Sequence, residues 1–314
     1  MKRFIKYILC LLVLPFLVFF INTKTGIHSE EFNQQFVTDL ILNDSLKLNI
    51  NLNDRQMVKS RINYKVKFKK NIVLGSSRSF LIGKPINLEV ENYSLAGAII
   101  DDFENIYFHL KNKNIQIDTV FLEISPWIFN ENTDESRYKD FNTPSLNRKI
   151  KKLFSVRYLI DNLHPNKYSQ ARNEKDFIRY SDGTIRYDSE YRNQDNLKSI
   201  KNYIKKTDIY HLEKFNLLKN LNSNRLVSLI ERMIKDGVFP VLIKHPYPPL
   251  INNKILEKYP NVMLTEKIID SLIIKYNLKS FGAFEPEQLN LSNNDYYDGM
   301  HLTPNGIKKL LELD

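Results

Sequence analysis

A single cysteine among 314 residues excludes a disulfide framework and a zinc site built on thiolates. Nine glycines and twelve prolines are too few for a collagen-like or linker-like chain. There is no Gly-x-Ser-x-Gly elbow, no Walker-type phosphate loop and no His-Glu-x-x-His pair. No internal repeat is visible, and nothing calls for a metal or a cofactor. What is present is an ordinary globular balance, 42% apolar and 26% charged, with enough apolar material for a sizeable core. Forty-six basic against thirty-six acidic residues leave a net charge of +10, which suits nucleic acid, an anionic membrane surface or an acidic polymer without choosing among them.

The N-terminus narrows that choice. Lys2, Arg3 and Lys6 precede an apolar run from Tyr7 to Ile21, the pattern of a signal peptide or an uncleaved signal anchor. No small-x-small cleavage site follows, so residues 1–25 read as an anchor; cleavage would instead release a secreted protein. Fifteen apolar residues are short for a span, a mismatch that tilt or bilayer thinning absorbs. The basic flank stays inside, leaving the rest of the chain extracytoplasmic, in a periplasm or at a cell surface. Nucleic acid is thereby excluded as a partner. Cys10 lies within the run, so the exported part has no cysteine.

Residues 26–69 are polar and basic and read as a juxtamembrane stalk or lead-in helix. From Asn71 the texture changes. Strands are expected at Asn71–Leu74, Ile86–Val90, Ile117–Ile124, Phe239–Ile243 and Leu278–Phe284. Helical spacing marks Ala96–Leu110, Ile209–Ile234 with a break near Asn222, and Val262–Tyr276. Thr303-Pro304 opens a last helix as N-cap and first helical residue. The alternation implies a three-layer α/β/α domain over residues 70–314, with a mostly parallel five-stranded sheet. An insertion at about 126–206, rich in Tyr, Asn, Asp and Arg, lies over one end of it. Sites in such folds sit at the carboxyl ends of strands.

Three segments fall at those ends. Gly75-Ser76-Ser77-Arg78-Ser79 follows the first strand; it suits an exposed nucleophilic serine, a helix cap, or an anion cradle assisted by Arg78. Asn92-Tyr93-Ser94-Leu95-Ala96-Gly97 follows the second, and its glycine permits the close backbone approach that an oxyanion-hole N–H requires. Asp298-Gly299-Met300-His301 precedes the last helix. That spacing lets the carboxylate hold one imidazole nitrogen while the other faces a serine; a plain turn with a surface histidine is the structural alternative. His245, after a strand, is placed to line the cleft, and Trp127 offers a ring for stacking on sugars.

In this order the three segments resemble the SGNH, or GDSL-like, hydrolase family, the final His-Leu-Thr-Pro-Asn-Gly run being the most specific piece. The resemblance covers about residues 70–125 and 238–314. It implies a flavodoxin-like fold with Ser77 as nucleophile, Gly97 as oxyanion glycine beside the N–H of Ser77, Asp298 as orienting acid and His301 as base. Two departures stand out. Ser76 replaces the family's aspartate, and Glu123-Ile124-Ser125-Pro126-Trp127 replaces its Gly-x-Asn-Asp block, leaving Ser125 as the one side chain to stand in for the asparagine. The Gly-Ser-Ser variant with an anchor is similar to membrane-tethered proteins that assist teichoic-acid D-alanylation and alginate O-acetylation. The implied activity is that of a serine esterase or O-acyltransferase on acyl esters of a cell-envelope glycan or polymer, with a polytopic membrane acyltransferase as a further partner. The alternative is a non-catalytic module that binds the polymer or that acyltransferase.

Overall fold

The computed structural model describes residues 2–25, 30–48, 53–132, 150, 153–163, 168–170, 177–186, 195–205, 212, 215 and 220–313. In chain order these form α1 (Lys2–Thr25), α2 (Glu30–Asn43), β1 (Ser45–Leu48), α3 (Asp54–Tyr64), β2 (Asn71–Leu74), β3 (Glu91–Asn92), α4 (Ile100–Asn112) and β4 (Thr119–Glu123). There follow α5 (Val156–Asn162), β5 (Tyr168–Gln170), β6 (Ile178–Tyr180), β7 (Ile185–Arg186), α6 (Asn196–Lys205), α7 (Asn220–Lys235), β8 (Phe239–Ile243), α8 (Pro249–Lys258), α9 (Asn261–Tyr276), β9 (Lys279–Phe281) and α10 (Pro304–Leu310).

The sheet that carries the site is five-stranded and parallel, ordered β3-β2-β4-β8-β9, in a three-layer α/β fold. Its central strands are apolar on both faces, as helices on both sides demand: Val73, Leu74, Leu122 and Ile243 are fully buried. From β2 the chain passes to β3 on one side, then crosses to β4 on the other. The carboxyl ends of β2 and β4 thus flank a topological switch point, where a crevice opens in folds of this kind.

The first and fourth sequence-predicted strands have the observed bounds. The second does not. Lys84–Ile86 makes a 3-10 turn and Asn87 adopts a left-handed φ of 59°, so pairing with β2 is delayed to Glu91–Asn92. Of the helix expected over Ile209–Ile234, residues 209–211, 213–214 and 216–219 lie outside the described residues, and α7 forms the rest from Asn220.

Residues 30–65 are not a stalk. Strand β1 is one of the two inner strands of a second, antiparallel sheet ordered β5-β1-β6-β7, whose other strands come from the insertion. Phe36, Val37 and Leu40 of α2 pack on Leu46, Leu48 and Met57 in a small separate core. Helix α3 docks on the main domain through buried ion pairs. Arg55 grips Asp102 of α4 with two hydrogen bonds of 2.8 and 2.6 Å, and Arg61 reaches Glu91 of β3 at 2.7 Å. Lys65 completes the pair with Glu91.

Near the N-terminus, α1 rests against the insertion. The Asn22 amide donates to the carbonyls of Leu153 and Ser155 at 2.9 and 3.2 Å, and the rings of Phe19 and Phe154 lie 5.1 Å apart. Among the described residues no helix is long and apolar enough to cross a membrane. Side chains of the apolar run are described only from Val13 onward.

Candidate active site

Strand β2 ends at Leu74, and Ser77 opens a 3-10 turn (Ser77–Ser79) capped by Ser76, whose hydroxyl accepts the Arg78 N–H. Ser77 is the partly exposed residue of an otherwise buried stretch. Its backbone N–H, at the first position of the turn, has no acceptor among the described residues, as expected of a helix's first amides. The turn is held from below by Glu123, the last residue of β4. This fully buried carboxylate accepts the Ser76 N–H at 2.5 Å and the Ser125 hydroxyl. Asn92, ending β3, clamps it from the side, its amide donating to the carbonyls of Ser79 and Ile82 at 2.7 and 2.9 Å.

The late segment meets this turn. His301 Nε2 lies 3.0 Å from Ser77 Oγ, and His301 Nδ1 lies 2.9 Å from Asp298 Oδ2. The other oxygen of Asp298 accepts the N–H groups of Met300 and His301 at 2.8 and 2.9 Å, which fixes the carboxylate before it meets the ring. A bridge between Tyr296 and Leu302 closes the loop at its base, and Thr303 caps α10 through the Gly306 N–H. Burial works to raise the Asp298 pKa, but its interaction with His301 and the two N–H groups outweighs this and holds it at about 2. A carboxylate with its pKa below the ordinary value stabilises the fold above that value and loses the contribution as pH falls through the folded one. The parent's thermal midpoint is therefore expected to lose this increment between about pH 4 and 2, a loss absent from Asp298→Asn; scanning calorimetry across that range reads it.

Gly97 sits third in the turn Leu95–Ala98, with φ 59°, a backbone that other residues rarely adopt. The turn is tied to the Ser77 segment by Leu95 N–H donating to the Gly75 carbonyl at 2.9 Å. The N–H of Gly97, like that of Ser77, has no acceptor among the described residues.

Four other expected contributors are placed differently. The Ser125 hydroxyl is buried and donates to Glu123, so it does not stand in for the family's asparagine. Trp127 is wholly buried, its indole N–H donating to the Ala98 carbonyl at 3.1 Å; it is core, not a sugar platform. Arg78 points inward, donating to the carbonyls of His245 and Pro246 at 2.7 and 2.5 Å and lying over the Tyr247 ring. His245 is fully buried against Ser79, and burial, then Arg78, then His301 push its pKa well below the ordinary value. A neutral His245 and an inward Arg78 support the floor of the site and do not line a cleft.

Sequence reading missed Glu123, Asn92 and the part played by the insertion. The signal for Glu123 was an acid ending an otherwise apolar strand. The β6–β7 hairpin bonds to the segment that follows Ser77, Ile185 N–H to Phe80 carbonyl at 2.9 Å, and receives the Asn92 N–H at the Asp182 carbonyl, 2.7 Å. Helix α6 presses Tyr203 onto Gly299, where a Cβ would lie 2.0 Å from the ring, and Asn196 holds the Tyr296 carbonyl at 3.1 Å. The insertion thus braces both halves of the site.

Glu123→Ala would strand the Ser76 N–H and the Ser125 hydroxyl in the interior, costing roughly 1–3 kcal/mol for each orphaned group. Chemical denaturation of this variant should show that loss, while Glu123→Gln, which keeps an acceptor, recovers part of it. Among the described residues no group of His, Cys, Asp or Glu is arranged to hold a metal ion. Compared with protein-family models and with curated proteins, the chain matches none.

Proposed function

We propose that this chain is a membrane-anchored, extracytoplasmic serine esterase or O-acyltransferase of the SGNH type, acting on acyl esters of a cell-envelope glycan or polymer. The observation that carries the proposal is the hydrogen-bonded series Ser77–His301–Asp298, at 3.0 and 2.9 Å. In the mechanism it supports, His301 Nε2 takes the Ser77 proton as Oγ attacks the ester carbonyl. The tetrahedral oxyanion receives the N–H groups of Ser77 and Gly97. Collapse breaks the ester bond, and the leaving alcohol takes its proton from His301. Water or a sugar hydroxyl then attacks the acyl-enzyme, losing its proton to His301 and freeing Ser77. Asp298 keeps the imidazole in the orientation and tautomer this cycle needs.

With Ser125 turned to Glu123, two N–H donors serve the oxyanion, and a missing donor costs about a hundredfold or more in rate. Slow turnover is therefore expected whether water or a sugar hydroxyl resolves the acyl-enzyme, since both pass through the same oxyanion. The test follows a chromogenic acyl ester with the full chain in detergent, with and without an oligosaccharide acceptor. Ser77-dependent release together with an acylated acceptor supports the proposal; equal release by Ser77→Ala rejects it. The same missing donor favours the second reading, a non-catalytic module binding polymer or a polytopic acyltransferase. Polymer binding that survives Ser77→Ala, with no acyl-enzyme in the parent, selects it.

A further inference from the structure

The described part of α1 exposes large apolar side chains, among them Leu14 at 63%, Phe16 at 66% and Phe20 at 64%. The segment of the insertion docked against it does the same. Val156, Ile160 and Leu163, spaced four and three apart and so on one helical face, are 56%, 64% and 59% exposed. Phe154 extends this surface next to Phe19. Soluble monomers rarely leave so continuous an apolar patch in water.

We infer that α5 lies in the membrane–water interface beside the anchor, giving the extracytoplasmic domain a second contact with the bilayer. The inference rests on the anchor reading of α1 and goes beyond it by assigning a role to part of the insertion. Three observations carry it. The patch is continuous: Asn22 and Phe19 hold the insertion against α1, so the medium that solvates the exposed face of α1 also meets α5. The polar backbone at the junction is satisfied within the protein, as a lipid boundary requires. The carbonyls of Leu153 and Ser155 accept from Asn22, and the Ser155 hydroxyl receives the Tyr158 N–H at 3.2 Å. Lys24, exposed in the last turn of α1, adds a cation at the level of anionic headgroups in a chain of net charge +10. On the anchor reading, the last turn of α1, with Asn22 and Lys24, lies near the headgroups, and that is where α5 docks.

The test uses the full chain with Cys10→Ser and one new cysteine at Leu14, Val156, Ile160 or the exposed Lys267, each labelled with an environment-sensitive fluorophore. The protein is reconstituted in phosphatidylglycerol-containing vesicles with or without brominated acyl chains. Blue-shifted emission, quenched by bromolipid at Leu14, Val156 and Ile160 but not at Lys267, is the expected result. Quenching at Leu14 alone overturns the inference and leaves the anchor standing. No quenching at any site removes both. A blue shift at Ile160 that bromolipid does not quench and that fades on dilution in excess lipid also overturns it, since a second copy then covers the patch.

Discussion

Replacing Ser77 with alanine is expected to lower acyl-ester turnover by about four orders of magnitude or more, with His301→Ala nearly as damaging and the double variant no worse than either. The non-additivity is the informative part. Ser77 and His301 are joined by one 3.0 Å hydrogen bond, and removing either partner ends the same proton transfer. Asp298→Asn should also cost about four orders of magnitude, because an amide facing His301 Nδ1 stabilises the wrong tautomer. None of the three changes should alter the fold: Ser77 is partly exposed, and the side chains of His301 and Asp298 are 15% and 21% exposed. Steady-state rates with far-UV circular dichroism as the folding control decide it, and additive losses from Ser77 and His301 would contradict a shared step.

The second large effect is on stability. Arg55→Met is expected to cost about 3–5 kcal/mol, because Asp102 is wholly buried and loses its bidentate partner. For a domain whose total stability is of order 5–15 kcal/mol that is a large fraction. The carboxyl, left with the Ile99 N–H and no cation, takes up a proton in preference to staying charged. Arg55→Met combined with Asp102→Asn should recover part of the loss, since the amide removes the stranded charge and keeps an acceptor for the Ile99 N–H. Urea midpoints for the parent, the single and the double variant provide the comparison. An Arg55→Met midpoint equal to the parent's would mean that α3 is dispensable to the domain.

Arg55 also explains where sequence reading stopped. The apolar runs Asn71–Leu74 and Phe239–Ile243 were legible because buried parallel strands need apolar residues on both faces and end abruptly. The last helix announced itself through Thr303 and Pro304. Helix α3, by contrast, buries Arg55 and Arg61 alongside Met57, Val58 and Ile62, so its inner face looks polar and basic in sequence. Reading residues 26–69 as a juxtamembrane stalk or lead-in helix, apart from the domain, followed from that. The second sheet was hidden for another reason. Its strands are two to four residues long and come from segments more than a hundred positions apart, too short for any periodicity.

Ser77, Asp298 and His301, which the structure brings together, were legible as candidates because each lies in a short segment at a strand end or helix start. Residues that act by supporting backbone were not. Glu123 and Asn92 work by accepting from or donating to main-chain groups, and such partners have no sequence spacing. Arg78, His245 and Trp127 were misplaced because charge, imidazole and indole suggest contact with a ligand, whereas each is buried and makes a hydrogen bond inside the fold.

The central claim is that Ser77 is an acyl nucleophile, and intact-mass measurement after treatment with a fluorophosphonate ester tests it most directly. One adduct per chain, mapped by peptide sequencing to Ser77, slowed by His301→Ala and absent from Ser77→Ala, is the expected result. An unmodified parent under conditions that label a control serine esterase fully would contradict it.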